Sequence, residues 1–122
     1  MNVKELARAR NLLNTTLIEG DITKTGYPNK SFDVVLSIGV HEHLNPITFE
    51  EPRRIIKDNG LFICNVPAIE DNRPAKNDWI DEDSQWAWQL NATIWKQHLE
   101  RFGFIATQID RWLFVCVPKG DK

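Results

Sequence analysis

Residues 31–48 read SFDVVLSIGVHEHLNPIT, an apolar run that ends in a small-residue turn before His41-Glu42-His43. The run FDVVLSI (32–38) is almost continuously apolar, and such runs favour a strand covered on both faces, as in a parallel sheet. Two histidines that directly follow a buried strand raise the question of a catalytic or metal-binding site. The fold prediction therefore begins with this strand.

Three elements are predicted before and after this strand. Upstream, a short amphipathic helix with Asn2 as a possible cap precedes a brief β-branched strand, TTLIE (15–19), and residues 21–30 are loop-forming. Downstream, Asn45-Pro46 is a helix-capping pair. Pro52 would cost ~3 kcal/mol in a helix interior. We therefore predict a helix that starts near Glu51, with Pro52 in its first turn, and ends at Asn59-Gly60.

The second half of the chain predicts three strands and one helix. LFICNV (61–66) is a second buried strand, and Pro67 to Gln85 is an acidic loop. A helix over Ala92–Phe102, capped by Asn91 and stopped by Gly103, carries the apolar stripe Trp95, Leu99 and Phe102. FIATQID (104–110) and LFVCVP (113–118) are joined so tightly that they must run antiparallel. This order predicts one α/β domain over 1–122, an open, mostly parallel sheet with a C-terminal antiparallel hairpin strand.

The composition and charge of the chain argue against a nucleic-acid-binding protein and against a membrane-spanning protein. The chain has 122 residues, 42% apolar and 26% charged, with a formal net charge of −2, which is typical of a globular protein. No basic run indicates a nucleic-acid footprint. No apolar stretch approaches the ~20 residues of a membrane span, and no signal peptide is evident, so a cytoplasmic location is expected. Cys64 and Cys116 lie in apolar runs and are predicted to be buried hydrophobes.

Four segments in order carry a family resemblance: GD (20–21), SFDVVLSIGVHEHL (31–44), RRIIKDNGLFICNVP (53–67) and WKQHLERFGF (95–104). Together, over about residues 5 to 118, they resemble the later two-thirds of a class I S-adenosylmethionine-dependent methyltransferase. The resemblance implies a Rossmann-like sheet, S-adenosylmethionine as cofactor and methyl transfer to an unidentified acceptor, which can be a small molecule.

The resemblance also implies a cofactor site. Asp21 matches the acidic residue whose carboxylate accepts a hydrogen bond from the adenine amino group, and Ile22 matches the residue that covers the adenine. Ser37, Ile38 and Gly39 match the strand end beside the methionine portion of the cofactor. The competing interpretation of Asp21 is ordinary turn chemistry, since Gly-Asp after a strand is a common turn.

The two histidines differ in what the resemblance implies. His43 matches a family histidine that faces the acceptor, and its ordinary pKa near 6.5 suits a general base. A turn histidine satisfied by backbone groups is an equally open interpretation. His41 departs from the family pattern, which has an apolar residue there, so a turn role is favoured. Zinc needs three or four protein ligands, and neither Cys64 nor Cys116 lies in a ligand-like motif, so no metal site is predicted.

One part of the family pattern is missing from the sequence. The glycine-rich cofactor loop would precede Asp21 by about 50 residues in the family, and no G-x-G occurs in the chain. Such loops let backbone N–H groups approach the ligand closely. The resemblance thus implies a domain truncated at its N-terminal βαβ unit, with weak or absent cofactor binding by this chain alone. The alternative is a catalytically inactive methyltransferase-fold protein that binds or scaffolds a partner.

Truncation would also leave one edge of the strand 32–38 without its neighbour. Exposed apolar edges promote association. We expect self-association or a complementing partner at this edge, or a rearrangement that brings TTLIE alongside as cover.

Overall fold

A computed structural model describes residues 15–69, 76–80 and 86–120. The predicted N-terminal helix lies outside these ranges. The elements are, in order, β1 (Phe32–Ile38), α1 (Glu50–Ile55), β2 (Ile56–Asn65), β3 (Ala68–Ile69), β4 (Lys76–Ile80), β5 (Trp86–Asn91), α2 (Ala92–Arg101), β6 (Phe104–Asp110) and β7 (Leu113–Pro118). Two short 3₁₀ helices, His41–His43 and Pro46–Phe49, separate β1 from α1. Neither α1 nor α2 is long and apolar enough to span a bilayer, and the described ranges hold no other helix that is.

The main sheet has the strand order β1-β2-β7-β6. β1 runs parallel to β2, and β7 runs antiparallel to both β2 and β6. The predicted open α/β sheet with a C-terminal antiparallel hairpin is therefore confirmed. The tight β6–β7 connection has the predicted consequence, with ladder pairs from Phe104 opposite Pro118 to Asp110 opposite Leu113.

A second, three-stranded sheet with the order β3-β5-β4 lies where much of the sequence predicts a loop. The prediction that residues 67–85 are loop is wrong for 68–69 and 76–80, which are strands. Both strands pair with β5, parallel for β3 and antiparallel for β4. Their own sequences lack the apolar alternation of a half-buried strand, so the pairing comes from the tertiary structure rather than from local pattern.

One face of the main sheet carries the core. Helix α2 packs there through Trp95 and Leu99, both fully buried. Asn91 caps the helix, since its Oδ1 accepts a hydrogen bond of 2.9 Å from the N of Ile94. Gly103, with a φ of 102°, follows the helix as predicted. Cys64 and Cys116 are fully buried in this core, which confirms them as buried hydrophobes.

The opposite face of the sheet is open, which corrects two predictions. Val34, Leu36 and Ile38 are 52%, 64% and 56% exposed, so β1 is not covered on both faces by the described residues. β1 is the outer strand of the sheet, and its Val35 alone packs against the core. Residues 15–19 form no strand. A strand needs the backbone groups of a partner, and β1 pairs only with β2 among the described strands.

Helix α1 is shorter than predicted. It starts at Glu50 with Pro52 in its first turn, as expected, but it ends at Ile55 because the chain enters β2 at Ile56. There Ile56 pairs with Phe32, and a register shift follows before Val34 meets Leu61. The glycine at 60 fits this irregularity, because a Cβ there would lie 2.8 Å from the backbone O of Asp33.

Candidate functional site

A cavity of about 220 Å³ lies along β1 toward its carboxyl end. Four consecutive residues, 35–38, line it, so it faces the open edge of the strand rather than one side of the sheet. Gly39, with a φ of 69°, then turns the chain into the 3₁₀ helix His41–His43. The wall of the cavity also includes Ile22 from the loop before β1, His41 from the turn and Glu51 from α1.

A second cavity of about 190 Å³ adjoins the first and is lined by residues of the loop before β1, including Asp21 and Lys24. The two cavities share Ile22 and Thr25. The structure therefore brings Ile22, Ser37 and Ile38 to one cavity and places Asp21 in its neighbour. Gly39 lies in the turn between two residues of the first cavity, Ile38 and Val40.

Asp21 is exposed and its carboxylate organises the local turn. Its Oδ1 accepts hydrogen bonds from the N of Thr23 at 2.9 Å and from the Oγ1 of Thr23 at 2.7 Å. These bonds hold the pKa of the Asp21 carboxyl below its usual value. Its Oδ2 accepts no hydrogen bond from any described residue. Turn chemistry thus occupies one oxygen and leaves the other available to a ligand.

His41 is 3% exposed and its ring lies 4.6 Å from that of Phe49, centroid to centroid. Its Nδ1 lies 3.1 Å from the Oγ1 of Thr48, which donates its own proton to the O of Asn45. When the Thr48 hydroxyl donates to Asn45, Nδ1 carries the ring proton and Nε2 is an acceptor. Burial lowers the pKa of His41 to about 4, so the ring is neutral at pH 7.

His43 ends the same 3₁₀ turn, and its backbone N donates to the O of Val40 at 3.1 Å. Its side chain is half-buried. It does not line either of the two cavities within the described part of the chain. A base role for His43 stays a prediction, and His41, predicted to have only a turn role, is the histidine at the cavity wall.

Glu51 is the cavity residue that the sequence prediction did not single out. Its carboxylate, 8% exposed, accepts from the N and Oγ1 of Thr25 at 2.7 and 2.5 Å. Arg54 donates to both of its oxygens, each at 2.8 Å. The Arg54 guanidinium is the main reason that the pKa of Glu51 falls to about 2. The spacing Glu51-x-x-Arg54 on a helix is a signal that could have identified the pair.

The described ranges contain no group of three or more His, Cys, Asp or Glu side chains that could hold a metal ion.

The first half of the chain matches a known protein family. The family model described as "Methyltransferase domain" matches residues 1–64, more than half of the sequence. The chain belongs to this methyltransferase domain family. The match includes the loop with Asp21 and Ile22, all of β1, and the turn with His41 and His43. No match was found among curated protein sequences.

Solved structures share the fold of this methyltransferase domain at low sequence identity. The chain is 12% identical, with a TM-score of 0.77, to a Burkholderia thailandensis 1,6-didemethyltoxoflavin-N1-methyltransferase bound to 1,6-didemethyltoxoflavin and S-adenosylhomocysteine. It is 18% identical, with a TM-score of 0.70, to a chain in the complex between the Haloferax volcanii Trm112 methyltransferase activator and a methyltransferase candidate. A third similar structure, at 18% identity and a TM-score of 0.72, is the [4+2]-cyclase SpnF.

The coverage of these structures is unequal. The alignments include 99%, 98% and 85% of this chain but only 59%, 69% and 39% of the Burkholderia, Haloferax and SpnF chains, respectively. This chain therefore spans about two thirds or less of each of these proteins. The structural similarity identifies the sheet as the Rossmann-like sheet of class I methyltransferases.

Proposed function

We propose that this methyltransferase domain takes part in S-adenosylmethionine-dependent methyl transfer and supplies the adenine- and methionine-facing side of the cofactor site. The observation that carries the proposal is the pair of adjoining cavities. They bring Ile22, Ser37 and Ile38 together and place Asp21 beside them. In open α/β sheets, ligands bind outside the carboxyl ends of the strands, and the first cavity lies at that end of β1.

The residues fit two portions of the cofactor. The available Oδ2 of Asp21 is an acceptor for the adenine amino group, and the apolar side chain of Ile22 is cover for the ring. Ser37 and the backbone around Gly39 would hold the methionine portion. Of these residues, Asp21 carries the charge, and its lowered pKa keeps it an acceptor across the neutral range. When bound, S-adenosylmethionine supplies an electrophilic methyl group on a positively charged sulfur.

Methyl transfer is an in-line displacement, so the protein mainly positions the acceptor and excludes water. An acceptor that loses a proton needs a base at the cavity. His43 is the family candidate. The unprotonated Nε2 of buried His41 is a second acceptor in the same turn, at the wall of the cavity beside Ser37.

Titration of the full chain with S-adenosylhomocysteine tests the proposal. Binding is measured by calorimetry and by the amide chemical shifts of an isotope-labelled sample. We expect shifts at residues 21–22 and 37–39 with a dissociation constant in the millimolar range or weaker, because the sequence contains no glycine-rich turn. Each missing charged or bidentate contact is worth roughly 1.5–3 kcal/mol, and ~1.4 kcal/mol is tenfold in affinity.

Asp21→Ala should remove these shifts, whereas Asp33→Asn, an exposed carboxylate at the opposite end of β1, should leave them in place. Adding a peptide with the glycine-rich strand–turn–helix of a family member should strengthen binding. Unchanged spectra for the wild-type chain at millimolar ligand, with and without that peptide, would contradict the proposal. Micromolar binding to the isolated monomer would show instead that the cofactor site is complete in this chain.

A second candidate function is binding to another polypeptide through the edge of β1. It is favoured by the exposure of Val34, Leu36 and Ile38 on the outer strand of the sheet. A strand added there would pair with the backbone groups on the edge of β1 that no described strand occupies. The same addition would cover the first cavity, so a binding partner at this edge and a free cofactor should compete if both functions use residues 35–38.

A further inference from the structure

Within the described ranges, residues 15–28 are hydrogen-bonded to a helix or strand at one residue, Thr25. Between described residues, the hydrogen bonds that join this stretch to another element are the two that Thr25 donates to Glu51. The other hydrogen bonds within the stretch are local, such as those from Thr23 to Asp21. An edge-on contact from Tyr27 to Phe32, at 4.9 Å between ring centroids, follows at its end. Glu51 is therefore the residue of α1 that holds the part of the loop nearest Asp21 and Ile22.

Glu51 is held rigidly from its other side. Arg54 donates to Oε1 through Nε and to Oε2 through Nη2, a two-pronged contact that fixes the plane of the carboxylate. The third guanidinium nitrogen, Nη1, donates to the Oδ1 of Asn29 at 2.8 Å. The backbone O of Arg54 also accepts from the N of Lys30 at 2.9 Å. The N of Ser31 donates to the O of Ile55 at 2.7 Å, so helix α1 holds the loop before β1 at four points, Thr25, Asn29, Lys30 and Ser31.

The first of these points is the one beside the cavities. Thr25 lines both cavities, as does Ile22, and Glu51 lines the cavity that contains Ser37 and Ile38. A shift of Thr25 away from Glu51 would separate the adenine-facing residues from the methionine-facing residues. The grip at Asn29 and Lys30 lies closer to β1 and would not prevent that shift.

We propose that Glu51 is a positioning residue for the cofactor, whose Arg54-bound carboxylate holds Thr25 so that Asp21 and Ile22 stay beside Ser37. This inference rests on the proposed function. Glu51 also lines the first cavity, and in the proposed role it acts through Thr25. A residue that only stabilised the fold would change the unfolding transition without changing the affinity of the folded protein.

The test titrates S-adenosylhomocysteine into the full chain and follows the amide shifts of residues 21–27 and 37–39, at a temperature where circular dichroism shows every variant to be folded. Glu51→Gln keeps the size of the side chain and removes its charge. Glu50→Gln is the matched control, since Glu50 is adjacent on α1, exposed, and bonded to no described side chain. Thr25→Val removes the hydroxyl donor, and Thr25→Ser retains it.

Glu51→Gln and Thr25→Val should each weaken binding about tenfold, whereas Glu50→Gln and Thr25→Ser should stay within about twofold of the wild type. The Glu51→Gln, Thr25→Val double variant should bind no more weakly than the weaker single variant, because both changes remove one shared contact. In Glu51→Gln, the amide of Thr25 should also exchange faster with solvent.

Wild-type affinity in Glu51→Gln would overturn the positioning role and leave the proposed function intact. Weaker binding with unchanged amide shifts and exchange at residues 21–27 would also overturn it, because the effect would not pass through Thr25. A wild-type chain that shows no response to the ligand would overturn the proposed function itself, and the positioning role with it, before any variant is compared.

Discussion

Both faces of the main sheet carry apolar side chains, but the two faces differ in how far those side chains are buried. On one face, Phe62, Cys64, Phe104, Phe114 and Cys116 are fully buried beneath α2. On the other, the cross-strand pairs Val34–Leu61 and Val117–Ile105 remain 37–52% exposed, together with Leu36 and Ile38. Apolar character alone therefore does not say which positions hold this fold together, since both sets are apolar and only one is buried.

The contrast also explains where binding is to be sought. Exposed apolar side chains occur on this face in β1, β2, β6 and β7, and large exposed apolar patches are typical of interaction sites. The packed face provides stability, and the open face with the edge of β1 is where the proposed binding to another polypeptide would take place.

The matched substitutions Leu99→Ala on the packed face and Leu36→Ala on the open face should differ most in their effect on the free energy of unfolding. Leu99 is fully buried on α2, so its truncation should cost about 3–4 kcal/mol in the free energy of unfolding, as large-to-small core changes do. Urea unfolding of the two variants and the wild type measures the loss in the free energy of unfolding for each substitution. Similar losses for both residues would show that the open face is covered in solution.

His41 should make the packed side sensitive to pH. The pKa of His41 is about 4 in the folded protein, where the ring is buried, and 6.5 in the unfolded chain. Between these two values, the unfolded chain therefore binds more protons than the folded protein. Stability should be complete above pH 6.5 and fall as the pH drops toward 4, by about 3 kcal/mol at most. Unfolding free energies at pH 7, 6, 5 and 4.5 provide the measurement.

His41→Gln should flatten this dependence, since glutamine does not titrate. Burial lowers the pKa of His98 as well, so His98→Gln serves as the comparison for the remaining slope. Glu51 contributes stability that is lost only as the pH falls below 4.5 toward 2, which separates it from the upper part of the window. An unchanged slope in His41→Gln would show that the ring is not buried in solution.

The smallest change in stability should come from the open face. Leu36→Ala or Leu36→Lys should alter the unfolding free energy by less than about 0.5 kcal/mol, because Leu36 is 64% exposed. The same changes should reduce concentration-dependent association, measured by sedimentation. A wild-type chain that stays monomeric at high concentration, with rapid amide exchange over 32–38, would contradict association through this edge.

The elements predicted correctly are those whose signals are local. Asn91 as cap, Gly103 as stop and the apolar stripe between them define α2 almost to the residue. Strands β6 and β7 have the predicted bounds because a tight turn leaves them no choice of partner. Pro52 correctly places the start of α1, since proline is tolerated only in the first turn.

The predictions that failed depend on partners distant in the sequence. TTLIE has the composition of a strand, but no described strand pairs with it. The end of α1 is set by the register of Ile56 against Phe32, which a helix pattern does not contain. At the candidate site, the resemblance identified positions at the carboxyl end of β1. Glu51 was missed because its contact with Thr25 joins residues 26 positions apart, which no local pattern contains.

The central position of β2 has a consequence for how the protein folds. The β6–β7 hairpin is local, and hairpins form in about 1–10 μs. The β2–β7 ladder instead pairs Phe62 with Cys116, so it must wait for closure of a loop that includes α2 and the whole second sheet. Contacts of such sequence separation slow folding. We expect docking of the hairpin onto β2 to be the slow step, and during synthesis one edge of β2 stays unpaired until almost the entire chain has been made.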